Sequence, residues 1–386
     1  MKEQDNIVYY ELQNEEGQTG LFDSAFLVDA ILNREMYIDG LSVYEHKLIS
    51  KEESQVFKNK EIEAYKKLLL IYKATGNSSY NIASITDGVY LLCKSSTKHI
   101  LFIDDNVEKI DTQACRNALL HYVLKNNKQG VLELKVVGGQ GLVTCKEMFN
   151  FFNFLIHLDL SSFDTSNVTD MSYMFSHCEK LQSINLNNFS TDNCLNMCGM
   201  FMGCSKLKKI DMGTFRTSQV VDMQKMFMEC TSLQDINLSS FIVDNVEKCN
   251  SMFTYCQSLL TIDLSNFNFI KVRLFNGFLS NCCSLISVNL YEFRTNKASN
   301  MQEMFSHCKS LESLDLSSFD VTNVETMEKM FDKCERLKVL NISSFDSTNI
   351  MSLLNIFRGC KNLKELKTKD KRLQSAYRRY VLKVVD

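Results

Sequence analysis

The chain has 386 residues, a formal net charge of −3, 45% hydrophobic and 23% charged residues, and neither proline nor tryptophan. That balance excludes a disordered polyampholyte and a strongly basic nucleic-acid binder, and the chain is long enough for more than one core. No stretch approaches the roughly 18 apolar residues of a membrane span, and the absence of proline excludes a proline-containing sortase anchor.

Residues 1–112 carry 12 Lys and Arg against 19 Asp and Glu, whereas residues 113–386 carry 31 against 27, so an acidic segment precedes a basic one. In the acidic segment, V-Y-Y-E-L-Q-N-E-E-G-Q-T-G-L-F predicts a hairpin around Gly17, followed by a helix from Asp23 or Ser24. A second helix is expected after the cap Ser50, running to Gly76. V-Y-L-L-C and H-I-L-F-I around K-S-S-T-K predict another hairpin. Together these make a small α+β domain, 1–112. From Asp111 a further helix leads into V-L-E-L-K-V-V, whose Leu132 and Leu134 stand one period before Leu158 and Leu160, as a capping coil would.

From Phe149 to Phe357 the sequence repeats every 26 residues, with Phe149, Phe175, Phe201, Phe227, Phe253, Leu279, Phe305, Phe331 and Phe357 as landmarks. A cysteine follows three residues after each except the first, where Phe152 takes its place. A period in this range marks a stacked solenoid. Met171, Met174, Phe175 and Cys178 fall at i, i+3, i+4 and i+7, which predicts a short helix capped by Asn167 or Thr169. Leu181, Ile184 and Leu186 then predict a short strand with Ser183, Asn185 and Asn187 on its other side. Such a unit cannot bury its apolar face alone, so the expected fold is an α/β solenoid over 113–368, closed by a basic helix, 369–386. In that helix Leu373, Tyr377, Tyr380, Val381 and Val384 recur at helical spacing, beside Arg372, Arg378, Arg379 and Lys383. The basic face is read chiefly as solvated, with nucleic acid a less favoured partner.

D-L-S-S-F-D-T-S-N-V-T-D-M-S-Y-M-F at Asp159 to Phe175 returns as D-L-S-S-F-D-V-T-N-V-E-T-M-E-K-M-F at Asp315 to Phe331. This unit resembles the 26-residue repeat of the BspA-like leucine-rich-repeat group of bacterial surface proteins, over roughly Val131 to Lys367. The resemblance implies a right-handed solenoid used for adhesion or protein binding, usually on an exported protein, and no catalytic residue. The start M-K-E-Q-D-N-I-V-Y-Y-E lacks the apolar run of a signal peptide, so the location expected here is the cytoplasm, with the cell surface by a non-classical route as the alternative.

The cysteine column from Cys178 to Cys360 is close enough for disulfides geometrically, but its place on the apolar face favours free thiols in a reducing compartment. No phosphate-binding glycine loop, G-x-S-x-G, H-E-x-x-H or paired metal-ligand spacing occurs, so no catalytic residue, cofactor or metal is expected. Along the strands one slot reads Asp159, Asn185, Asp211, Asn237, Asp263, Asn289, Asp315, Asn341. Alternation of carboxylate and amide solves a stacking problem; alternatively, the aspartates form an acidic strip for a basic partner. Candidate partner-binding residues on this concave face are His157, Asp159, Lys209, Asp211, Asp235, Asp263, Tyr291 and Asp315. The repeat is irregular between Asn266 and Cys283: Phe275 and Phe278 replace core methionines, while Phe269 and Ile270 fall in slots read as exposed turn and are a second candidate contact. The function expected is a non-enzymatic interaction module, an intracellular scaffold, adaptor or inhibitor of another protein. The alternatives are an exported adhesin and an effector with an unrecognised activity before residue 112.

Overall fold

The structure is a computed structural model that describes residues 9–13, 19–23, 89–94, 98–104, 132–138, 142–153, 155–291 and 293–383. The helices expected after Asp23, after Ser50 and after Asp111 lie outside these residues. Both expected hairpins are present. Strand β1 (Tyr9–Gln13) pairs antiparallel with β2 (Thr19–Asp23), and β3 (Val89–Lys94) with β4 (Lys98–Asp104).

The second hairpin is continuous with the solenoid. β3 also pairs antiparallel with β5 (Leu132–Gly138), and β5 pairs parallel with β6 (Leu155–Phe163), the first strand of the repeat. Leu134 stands opposite Leu158, not opposite Leu160 as the 26-residue period predicts. The shift is two residues, which preserves the face each side chain takes; the capping strand is held by β3 on its other side and follows its own register.

Nine coils follow from Leu142 to the C-terminal cap, and the leucine-rich-repeat solenoid expected from the period is the observed architecture. Each coil after the first contributes a three-residue strand: β7 (Ser183–Asn185), β8 (Lys209–Asp211), β9 (Asp235–Asn237), β10 (Thr261–Asp263), β11 (Ser287–Asn289), β12 (Ser313–Asp315), β13 (Val339–Asn341) and β14 (Glu365–Lys367). The ladders are parallel and register is kept at one period, as in Ile210 opposite Ile236 and Leu314 opposite Leu340. Period-2 alternation puts Ile210, Ile262 and Leu314 inside and leaves their strand neighbours outside.

The short helix predicted in each coil is not formed. Residues 171–178 make consecutive tight turns: Met174 N–H donates to Met171 O at 3.2 Å, Ser176 to Tyr173 at 3.1 Å and Cys178 to Phe175 at 3.2 Å. The intervening N–H groups donate to the next coil, Met171 to Asn196 O at 2.9 Å, Tyr173 to Cys198 O at 2.8 Å and Phe175 to Met200 O at 2.8 Å. Every fourth residue is left-handed. The slots of Tyr173 and of His177 have positive φ in all nine coils, filled by glycine only at Gly199, Gly203, Gly277 and Gly359. The cap is also one residue later than expected, since Asp170 Oδ1 accepts the Ser172 N–H at 2.8 Å. A four-residue turn directs i, i+3, i+4 and i+7 inward as a helix does, but it sends half of its N–H groups across to the neighbouring coil. Stacking is thereby hydrogen-bonded on the turn side as well as on the strand side.

The core is a set of columns. The landmark rings stack in parallel, Phe201 on Phe227 at 5.7 Å and Phe227 on Phe253 at 5.4 Å, and a second column runs through Phe189, Phe215, Phe241 and Phe267. The thiols of Cys178 to Cys360 are buried and unpaired with one another, and each donates to a carbonyl of the preceding coil, Cys204 Sγ to Phe175 O at 3.1 Å and Cys334 Sγ to Phe305 O at 3.1 Å. Cysteine suits this column because it is small and apolar yet keeps one donor. Buried threonines use their hydroxyls similarly: Thr217 Oγ1 donates to Ile242 O and accepts the Ile242 N–H, both at 2.8 Å.

At the C-terminal end a helix α1 (Lys371–Tyr377), continued as a π-helical turn (Arg378–Leu382), covers the last coil. Asp370 accepts from Leu373 N–H at 2.9 Å as the helix cap and from Ser347 N–H at 2.7 Å, so one carboxylate ends both the helix and the stack. Burial opposes its ionisation, yet these N–H bonds hold its carboxyl below the usual range. The Tyr380 hydroxyl accepts the Asn355 N–H at 3.1 Å, in place of the carbonyl a further coil would bring.

Candidate interaction surface

The outward slots of the strands carry most of the predicted contact residues, and the structure brings them onto one face. His157 Nδ1 lies 2.7 Å from Ser183 Oγ, and Lys209 and Asp235 form an exposed ion pair at 3.9 Å. Tyr291 is 80% exposed, the largest exposure of any large apolar or aromatic side chain among the described residues.

The Asp/Asn column does two structural jobs. Each carboxylate or amide oxygen accepts the N–H two residues on, as Asp159 does from Ser161 at 3.0 Å, Asp211 from Gly213 at 2.9 Å and Asn237 from Ser239 at 3.1 Å. In three of the four pairs asparagine then donates to the aspartate one coil before it, as Asn185 Nδ2 does to Asp159 Oδ1 and Asn341 Nδ2 to Asp315 Oδ2, both at 3.0 Å. Bonds from Ser265 and Asn289 hold the Asp263 carboxyl below its ordinary range, and Ser317 and Asn341 do the same for Asp315. These carboxylates are ionised but engaged, and Lys209 shares the outward side of its strand with Asp211, so the face is mixed in charge.

Phe269 is a correction. It is fully buried, ringed by Phe267, Phe275, Phe278 and Phe293 at 5.3–6.0 Å, and makes no surface contact. Its slot is core in every coil, as buried Thr165, Thr191, Thr217 and Val243 show. Threonine there is inward, with its hydroxyl spent on backbone, and polarity alone misplaced it. Ile270 is 43% exposed.

In the basic tail, Arg372 donates Nη1 to Ile350 O at 2.8 Å and to Ser347 O, so its guanidinium serves the cap. Arg378, Arg379 and Lys383 are exposed. The sequence reading missed the ion pairs that join like slots of successive coils: Glu303 to Lys329 at 3.0 Å, Glu312 to Lys338 at 2.7 Å and the 1% exposed Asp332 to Arg358. All are visible as opposite charges 26 residues apart. Among the described residues no group of three or more His, Cys, Asp or Glu is placed to hold a metal, and no helix is long and apolar enough to cross a membrane.

No curated protein matches the chain. Among solved structures, the crystal structure of a T. pallidum leucine-rich-repeat protein (TpLRR) is similar, at 18% identity, over 55% of this chain and 85% of that chain, with a TM-score of 0.26. Residues 143–261 and 257–369 match the family described as "Mycoplasma protein of unknown function, DUF285". The match takes in every coil and more than half of the sequence, and the chain belongs to that family.

Proposed function

We propose that the chain is a non-enzymatic interaction scaffold that works inside the cell as an adaptor or inhibitor, holding another protein along the outer face of its strands. One observation carries this reading. The coils are locked by inward slots and by ladders that repeat almost unchanged, while the first outward slot along the strands is mixed, with His157, Lys209, Asp235, Thr261, Val339 and Glu365 among serines 183, 287 and 313. A rigid frame with variable outward positions is how solenoids build extended binding surfaces, and exposed Tyr291 supplies the aromatic anchor typical of a contact centre. The thiol column supports an intracellular setting, because its hydrogen bonds require protonated, reduced cysteines.

The resemblance of the repeat to BspA-like proteins favours a second reading, an exported adhesin. Co-purification of the full chain from its own cells under reducing conditions separates the two, followed by the variants Tyr291→Ala and Lys209→Glu. A stoichiometric protein partner lost in these variants, with the melting temperature unchanged, supports the scaffold. Retention of binding by cell surfaces only, with no partner in lysate, supports the adhesin.

A further inference from the structure

Where each coil turns from its second phenylalanine column toward the next run of tight turns, a seven-residue corner presents exposed residues around two buried slots. Eight such corners stack along the solenoid, and six contain at least one acidic residue, such as Asp164 and Asp170, Asp192, or Asp320 and Glu325. The fifth and sixth corners contain none. Residues 268–274 present Lys271 and Arg273, and residues 294–300 present Arg294 and Lys297, all four exposed. Between them Ile270 is 43% and Leu274 42% exposed, with Ile242 at 49% one coil earlier.

This corner departs from the rest of the solenoid in charge logic and in bonding. Elsewhere, inter-coil ion pairs join opposite charges in one slot; here Lys271 and Lys297 occupy one slot in successive coils, and none of the four cations forms an ion pair among the described residues. Lys271 Nζ reaches only the Asn245 Oδ1 amide, at 2.7 Å. Like charges in facing slots work against stacking, and among the described residues no carboxylate forms an ion pair with them. The bonding is thinner too. Val243 and Phe269 replace the threonines whose hydroxyls clamp the following corner, and the turn ladder lacks its first inter-coil bond here, with Cys249 Sγ 3.9 Å from Leu274 O.

We propose that this corner docks an acidic segment of a partner protein bearing one or two large apolar residues, which seat on Ile270 and Leu274 while its carboxylates meet Lys271, Arg273, Arg294 and Lys297. Charge complementarity selects the acidic segment, and apolar side chains bracketed by cations reproduce the apolar centre and charged rim of a protein interface. The aromatic rings of this region, Phe269 and Phe275, are buried, so the corner offers no stacking platform of the kind single-stranded nucleic acid uses. This proposal rests on the interaction-scaffold reading and moves part of the contact away from the strand face.

The test uses the full chain and a fluorescein-labelled poly-glutamate peptide carrying two leucines, read by anisotropy, with a twin in which serine replaces leucine. Phosphatidylserine vesicles and oligo-dT serve as rival probes. The expected result is that Lys271→Glu with Arg294→Glu weakens the leucine peptide by about tenfold or more and flattens its salt dependence. Ile270→Ser and the serine twin each bind about threefold weaker, and Met351→Ser, at an exposed apolar residue of a different corner, has no effect. Melting temperatures confirm that each variant is folded. Unchanged peptide affinity in the double charge reversal overturns the corner, and loss in Tyr291→Ala alone does so while leaving the scaffold reading intact. Vesicles or oligo-dT that bind through the same cations when the peptide does not bind also overturn it.

Discussion

Phe227 lies in the middle of the landmark column, fully buried, with parallel rings on both sides at 5.7 and 5.4 Å. Truncation to alanine leaves a cavity flanked by two rings that cannot close it, because each belongs to a coil whose height is fixed by backbone ladders. The expected loss is about 3–5 kcal/mol, a large part of a total stability of about 5–15 kcal/mol. In a stack where each coil touches only its neighbours, both interfaces of one coil bear the damage, so urea unfolding followed by circular dichroism should broaden or split. The chain itself supplies a milder control. Leu279 occupies this slot one turn after Phe253, and there Phe275 and Phe278 replace methionine, with Phe278 edge-on to Phe253 at 5.6 Å and 83°. Phe227→Leu should therefore cost about 1 kcal/mol, and adding Met226→Phe should recover part of it. A loss below about 1 kcal/mol for Phe227→Ala, with a single transition of unchanged slope, would refute the column as the source of stability.

In Gly199→Ala the new Cβ would stand 2.4 Å from Tyr173 Cε1. The left-handed backbone at Gly199 and the ring together set the cost, about 1–3 kcal/mol, and Tyr173→Ala should relieve the ring's share in a double-mutant cycle. Burial pushes the Cys178 and Cys230 thiols up to about 12, and it raises those of Cys204, Cys256 and Cys308 as well. The unfolded thiol ionises near 8.5, so the folded state binds more protons above that pH. Stability is then full below about pH 8 and falls at higher pH by about 1.4 kcal/mol per unit for each thiol, until the folded values are reached. A urea midpoint that stays flat from pH 8 to about 10 would contradict this. Loss of Arg358 strands the buried Asp332 carboxylate, whereas serine occupies that slot in the coils of Ser176, Ser280 and Ser306. Arg358→Ala should lower the melting temperature and Asp332→Ser should restore it, a pattern absent if the pair is only a surface contact.

The period, the inward columns and both hairpins were legible in the sequence because they depend on which residues are apolar and how far apart they stand. The turn ladder was not, since a four-residue turn and a 3.6-residue helix direct Met171, Met174, Phe175 and Cys178 inward alike. Glycines at 199, 203, 277 and 359, confined to two outward slots, were the available sign of left-handed backbone. Phe269 was misplaced because threonine was read as exposed, although Val243 and Val321 in the same slot already marked it as core. The cations around Ile270 were overlooked because Lys271 and Lys297 are neighbours only after stacking.

The Asp/Asn column has a consequence for how such a chain can change in length. Removing one coil, for example residues 220–245, would set Asp211 directly against Asp263, two carboxyl groups with no amide between them, whereas removing two adjacent coils restores the aspartate–asparagine order. Coil number is therefore constrained by parity: gain or loss of repeats should proceed in pairs, and a recombination event within this array is tolerated or rejected according to whether it shifts the phase of a two-coil unit.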